Sequence, residues 1–339
     1  MAYLKLFRSA KPTANVTKYF NRNLIRNYSE GGCSKAEFVP ICEPLGIGTR
    51  ISWDNQTKKI YWVDIPNGNV HTYDPKCGKC VKAKVTNEPL VFMFPIEGSD
   101  TRHIAGIARK FCFVDWDGKS DKVQKVEVLQ EIDTEPELKD NALNGTKVDP
   151  WGRLWSGTMG PFYPEKAFFE PGRGQLYSIE KGVIKKHKSK VGICNGMAWN
   201  TETMKMYWID TLEHKVFEYD FDDGKMCNER VAFDFKAECL DGKPDGLAMN
   251  NKGELWVCAV FAGFLVKFHP KNGKIIEKLK VPSPQVTSVC FGGEKLDLMF
   301  CTTANLNYGG KKPPGPAGST FMIKNTGEIG TIDPRYKPC

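Results

Sequence analysis

Residues 144–149 read Asn-Gly-Thr-Lys-Val-Asp, and the phrase returns twice, as Asn-Gly-Met-Ala-Trp-Asn at 195–200 and Asp-Gly-Leu-Ala-Met-Asn at 245–250. Each time a short polar residue and a glycine open an apolar run that ends in a turn-forming Asp or Asn. The openers Asn144, Asn195 and Asp245 stand 51 and 50 residues apart, a period that marks an array of repeated structural units. Counting the same interval back from Asp54, in Trp53-Asp54, lands on Thr49. Equivalent positions of radially repeated strands point toward one axis. The spacing therefore predicts a central oxygen-rich site built from Asn144, Asn195 and Asp245, with Thr49 as a weak fourth member.

The flanking strands repeat too. Ile60-Tyr61-Trp62-Val63-Asp64 is matched by Met206-Tyr207-Trp208-Ile209-Asp210, and the residues that follow, Val70, Tyr73 and Asp74, by Val216, Tyr219 and Asp220. Gly152-Arg153-Leu154-Trp155 is matched by Gly253-Glu254-Leu255-Trp256, two periods away. Short apolar runs separated by Asn67-Gly68, Asp223-Gly224 and Asn272-Gly273 read as successive hairpins. About 310 residues at a period near 50 make about six units. The expected fold is all-β, a six-bladed β-propeller of four-stranded blades around a central channel, with Thr320–Lys324 as the closing strand. The polar openers should cluster at one mouth of that channel.

Two domains of behaviour are expected: a basic leader, 1–28, and one propeller, 29–339. The leader holds Lys5, Arg8, Lys11, Lys18, Arg22 and Arg26 and no acid, so removing it takes the formal charge from +8 to +2. The body then offers no charge argument for nucleic acid, and no apolar run long enough for a membrane span. The leader lacks the apolar centre of a secretory signal and reads as a mitochondrial transit peptide, with a basic tail on a cytoplasmic protein as the alternative. Of twelve cysteines, Cys112, Cys194, Cys258, Cys290 and Cys301 lie inside apolar runs and are expected to be free and buried, in a reducing compartment. Cys77-Gly78-Lys79-Cys80 lacks a second pair and reads as a hairpin turn rather than a zinc site. The five histidines have no metal or triad spacing, and no Gly-x-Ser-x-Gly elbow occurs.

Residues 45–54, 110–112, 141–157, 194–199, 244–247, 286–293 and 302–304 resemble, in order and spacing, the senescence-marker-protein, regucalcin, gluconolactonase and luciferin-regenerating-enzyme group of six-bladed propellers. The resemblance implies one divalent metal, calcium or zinc, at the channel mouth. It places metal ligands at Asn195 and Asp245, a substrate- or water-binding residue at Asn144, and a catalytic base at Asp245. It further implies hydrolysis of a small-molecule lactone, with the metal polarising the carbonyl.

Two departures bear on that chemistry. The group's first-blade Gly-Glu-Gly-Pro-x-Trp is Gly48-Thr49-Arg50-Ile51-Ser52-Trp53 here, so Thr49 stands for the glutamate ligand. Ala142 stands for an arginine implicated in substrate binding. Calcium affinity follows the number of carboxylates, and Asp245 alone remains. Glu97-Gly98 offers a carboxylate in the second blade but does not complete the five-residue rule. The expectation is a propeller descended from metal-dependent lactonases, with the alternative of a non-catalytic propeller that binds a small molecule or protein at the channel mouth.

Overall fold

The computed structural model describes residues 25–26 and 36–338, and these form six antiparallel sheets arranged as the blades of a propeller, five of four strands and the sixth of five. Blade one is Gly48–Asp54, Lys59–Asp64, Asn69–Asp74 and Lys79–Lys84, and the next four blades repeat that order from centre to rim. Their innermost strands are Leu90–Pro95, Ala142–Val148, Cys194–Asn200 and Lys243–Met249. The sixth is centred on Val286–Gly292. Innermost strands are almost wholly buried, whereas the rim strand Lys125–Glu131 is mostly exposed. That gradient is what the alternation of apolar runs with charged ones dictates.

The closing strand differs from expectation. Thr320–Lys324 is only third from the centre of blade six, and Glu37–Pro40 pairs beyond it, with Ile25–Arg26 outermost. The N-terminal segment thus closes the ring, which joins chain start to chain end through backbone hydrogen bonds. Of the leader, only Ile25–Arg26 falls among the described residues; the transit-peptide expectation otherwise lies outside them.

Large apolar side chains fill the gaps between blades. Trp62, Trp155, Trp208 and Trp256, from second strands, are fully buried, as the tryptophan repeats require. The strand cysteines are free and buried as expected. Cys42 and Cys80 correct the all-reduced reading, since they are joined by a disulfide across the seam between blade six and blade one. Thirty-eight residues separate them, too far for local spacing to reveal the pair. Among the described residues no helix is long and apolar enough to cross a membrane.

Candidate functional site at one channel mouth

Each innermost strand carries a β-bulge near its start, and the bulges set the site. In blade three the bulged residues are Asn144-Gly145, in blade four Asn195-Gly196, in blade five Asp245-Gly246. A bulge turns a side chain out of the pleat, here toward the axis. The following glycine is needed because neighbouring inner strands pass close: a Cβ at Gly145 would lie 2.4 Å from the Asn195 carbonyl oxygen, and one at Gly196 2.6 Å from that of Asp245.

Blade one breaks this pattern by a single residue. Its first two strands have the same length as those of blade four, with Gly48 opposite Asp64 as Cys194 is opposite Asp210, and Asp54 opposite Lys59 as Asn200 is opposite Lys205. Yet its bulge falls on Arg50-Ile51, opposite Trp62, one step later. Arg50 takes a left-handed φ of 54°, uncommon for a residue with a Cβ. The slip delivers the arginine into the ring. Thr49, the expected fourth member, remains paired with Val63 and is buried in the pocket wall.

The guanidinium of Arg50 fills the centre of the polar cluster. Nη2 donates to Asn144 Oδ1 at 3.1 Å and Nη1 to Asn195 Oδ1 at 3.2 Å. The amide orientations are fixed from behind: Asn144 Nδ2 donates to the Cys194 carbonyl, and Asn195 Nδ2 to Thr211 Oγ1, which donates on to the Pro244 carbonyl. Both amide oxygens are therefore held toward the axis, and the arginine satisfies them. Its own Nε is buried without a hydrogen-bond partner. Asp245 completes the floor. Burial pushes its carboxyl up to about 7, against the opposing pull of the Arg50 charge and a hydrogen bond from Asn195.

Above this floor lies a cavity of about 120 Å³. Its upper wall is apolar, with Met159, Phe162, Phe169, Phe261 and Leu306 among the lining residues, and Lys243 is the cation on the wall. Phe162 and Phe169 come from a small hairpin inserted in blade three and stack at 4.0 Å between centroids. Tyr308, from the glycine- and proline-rich loop of blade six, stacks on Phe261 at 4.3 Å. No sequence spacing signalled this aromatic belt, because its members come from three separate loops.

The family model for the SMP-30/gluconolactonase/LRE-like region matches residues 47–305. The chain belongs to that family. It is 32% identical to human regucalcin over 292 residues, covering 84% of this chain and 92% of regucalcin. A solved luciferin-regenerating enzyme is similar at 29% identity with a TM-score of 0.83, over 89% of this chain and 99% of that one. A bacterial regucalcin from Agrobacterium tumefaciens, described as a calcium-binding protein, shares the fold with a TM-score of 0.75 at 21% identity, over 88% and 96% of the two chains.

The residues present do not fit a divalent cation. The amide oxygens of Asn144 and Asn195 face a guanidinium, and Asp245 is the one carboxylate lining the pocket. A dication about 5 Å from that guanidinium would be repelled by roughly 7 kcal/mol at an effective dielectric near 20, which cancels about half of the attraction to one carboxylate. Glu97 supplies no rescue. It is exposed, its backbone bonds Tyr336, and its carboxylate pairs with Lys337 at 3.3 Å. The bulge position of blade two is held instead by Val91, which is apolar and buried.

Proposed function

We propose that this chain is a metal-independent member of its family that binds a small molecule at the channel mouth, with Arg50 in the place of a divalent cation. The observation that carries this reading is the pair of hydrogen bonds from Arg50 to Asn144 and Asn195. Charge supports it. Relative to a site with two carboxylates and a dication, replacing the glutamate by Thr49 and the metal by one arginine leaves the same net charge. The ligand class follows from the walls: a mostly apolar molecule, seated against Phe162, Phe169 and Phe261, carrying an acyl oxygen that accepts from Arg50. A lactone, its ester analogues and the corresponding acid all meet that description.

Calorimetry with calcium and zinc, beside thermal-shift titration with aliphatic and aromatic lactones and their acids, tests this reading. With the Cys42–Cys80 disulfide intact, the expected result is no divalent binding at submillimolar metal, together with stabilisation by an acyl ligand that Arg50→Met weakens at least tenfold. Tight calcium or zinc binding by the disulfide-intact wild type would overturn it, as would an acyl affinity indifferent to Arg50→Met.

One observation favours a second reading, hydrolysis. A carboxyl titrating near 7 is poised as a general base at neutral pH. Asp245 would take a proton from water as that water bonds the acyl carbon, with Arg50 polarising the carbonyl. The ring C–O bond then breaks, and the proton returns to the departing alkoxide. Turnover by this route should be unaffected by chelators and should rise with pH through about 7; loss of activity with EDTA would count against it.

A further inference from the structure

The rim of blade one holds a cluster unconnected with the channel. Cys42 lies just past the ring-closing strand Glu37–Pro40, Cys80 in the outermost strand Lys79–Lys84, and His71 in the strand Asn69–Asp74 between that strand and the core. The two sulfurs and a ring nitrogen of His71 all lie within 4.8 Å of one another. His71 is only 4% exposed, yet neither Nδ1 nor Nε2 has a hydrogen-bond partner. Its ring stacks on Trp62 at 5.3 Å, which fixes its plane. A buried imidazole with both nitrogens unpaired is an expensive arrangement, and here it faces a sulfur pair beside an open groove that Cys42, His71 and Cys80 line together.

We propose that Cys42, Cys80 and His71 form a redox-gated site for a soft divalent cation of the zinc class. In the oxidised state the sulfurs are joined and the site is closed to metal. A dithiol reductant supplies two electrons and two protons, is itself oxidised to a disulfide, and leaves two thiols. A cation then binds two thiolates and the imidazole, releasing the two thiol protons. The donors suit zinc, whose Zn–S and Zn–N bonds of about 2.3 and 2.0 Å put neighbouring ligand atoms about 3.5–3.8 Å apart, within reach of side-chain rotation here. Water completes a tetrahedron from the groove.

Two features add support. The groups around the groove include Asp64 and Glu43 as well as Lys82 and Lys84, so no single sign of charge bars a cation. The site also straddles the seam between the ring-closing segment and blade one. Either the disulfide or a bound cation would lock that seam, and reduction without metal would release it.

The test uses the full chain carrying Cys77→Ser, which removes the exposed free thiol and its C-x-x-C chelation with Cys80. Cadmium titration is followed by thiolate charge-transfer absorbance, and zinc by competition with a chromophoric chelator. The expected result is at least a hundredfold tighter binding after reduction than before. His71→Phe should then weaken binding at least tenfold. Zinc should restore the melting temperature lost on reduction, and should leave the oxidised protein unchanged. Equal affinity in both redox states would overturn the proposal, as would a reduced protein indifferent to His71→Phe. Should that variant fail to fold, Cys42→Ser under reducing conditions serves: retained affinity there overturns the proposal equally.

Discussion

The two mouths of the channel are built from the same six strands and end in opposite ways. At the mouth where the strands start, bulges turn Arg50, Asn144, Asn195 and Asp245 inward under an open apolar collar. At the mouth where they finish, the C-terminal tail lies across the opening. Arg335 there clamps the buried Asp54 through Nε at 2.8 Å and Nη2 at 2.7 Å, and also donates to the Ser99 carbonyl. Tyr336 and Lys337 bond the backbone of Pro95 and Gly152. At the covered end an arginine meets a carboxylate in two parallel bonds; at the open end an arginine keeps a buried Nε without a partner. One arginine closes the fold, and the other is left with something to bind.

The sharpest break in that comparison comes from Arg335→Ala. It strands Asp54 as a buried carboxylate, which typically costs about 3–5 kcal/mol. The melting temperature should fall by several degrees, and acyl-ligand affinity should stay within about twofold. A drop in affinity as large as the drop in stability would mean the two mouths are coupled rather than separate.

Next in size is rebuilding a metal site at the open mouth. Thr49→Glu alone should raise divalent affinity less than tenfold, because the new carboxylate pairs with Arg50. Thr49→Glu with Arg50→Gly removes that cation and supplies the second carboxylate. Affinity for calcium or zinc should then rise at least a hundredfold over wild type, about 2.7 kcal/mol, read by calorimetry. A single mutant that binds metal as tightly as the double would show that Arg50 does not hold the cation's place.

How much of this could be read from the chain depends on how far each feature lies from its sequence signal. The polar-glycine openers and the five-residue rule sit on one strand each, so the blade count and the shared pocket of Asn144, Asn195 and Asp245 were legible. Thr49 was expected as the fourth ring member; it lines the pocket while paired with Val63, and Arg50, which enters the ring in its place, was not foreseen. A one-residue displacement of a bulge leaves strand lengths unchanged, and the spacing rule that found Thr49 cannot register it. The signal available was the chain's own contrast: Gly145, Gly196 and Gly246 follow their polar partners, whereas Thr49 is followed by an arginine. Cys42 with Cys80, and Glu37–Pro40 with Thr320–Lys324, are contacts made by ring closure itself, and no local pattern carries them.

A smaller effect concerns pH. The Asp245 carboxyl is raised to about 7 in the folded chain from an ordinary value near 4. A raised carboxyl binds its proton more tightly when folded, so its stabilising contribution is present below about pH 4 and is lost as pH rises through about 7. The loss should be roughly 2 kcal/mol, since Asp245 opens onto a pocket that admits water. The buried histidines His71 and His103, whose proton affinities are lowered to about 3 and about 4, work in the other direction between those values and about pH 6.5. The clean observable is a difference: on going from pH 5 to pH 8 the melting temperature of Asp245→Asn should rise further, or fall less, than that of wild type. Identical pH profiles would place Asp245 in contact with bulk solvent and remove it as a candidate base.

The smallest expected effect tests which mouth matters. Glu97 and Lys337 pair at 3.3 Å with both side chains about half exposed, and such surface pairs contribute about 0–1 kcal/mol. Glu97→Gln should therefore shift stability by less than about 0.5 kcal/mol. It should also leave divalent and acyl-ligand affinities unchanged, both in wild type and in the Thr49→Glu, Arg50→Gly background. The second background is the informative one. If the rebuilt site draws its ligands only from the strand-start mouth, a carboxylate bonded to the tail at the covered mouth cannot contribute to it. A loss of metal binding on Glu97→Gln in that background would mean the second blade supplies a ligand, and that the apolar Val91 at its bulge does not mark a gap in the ring.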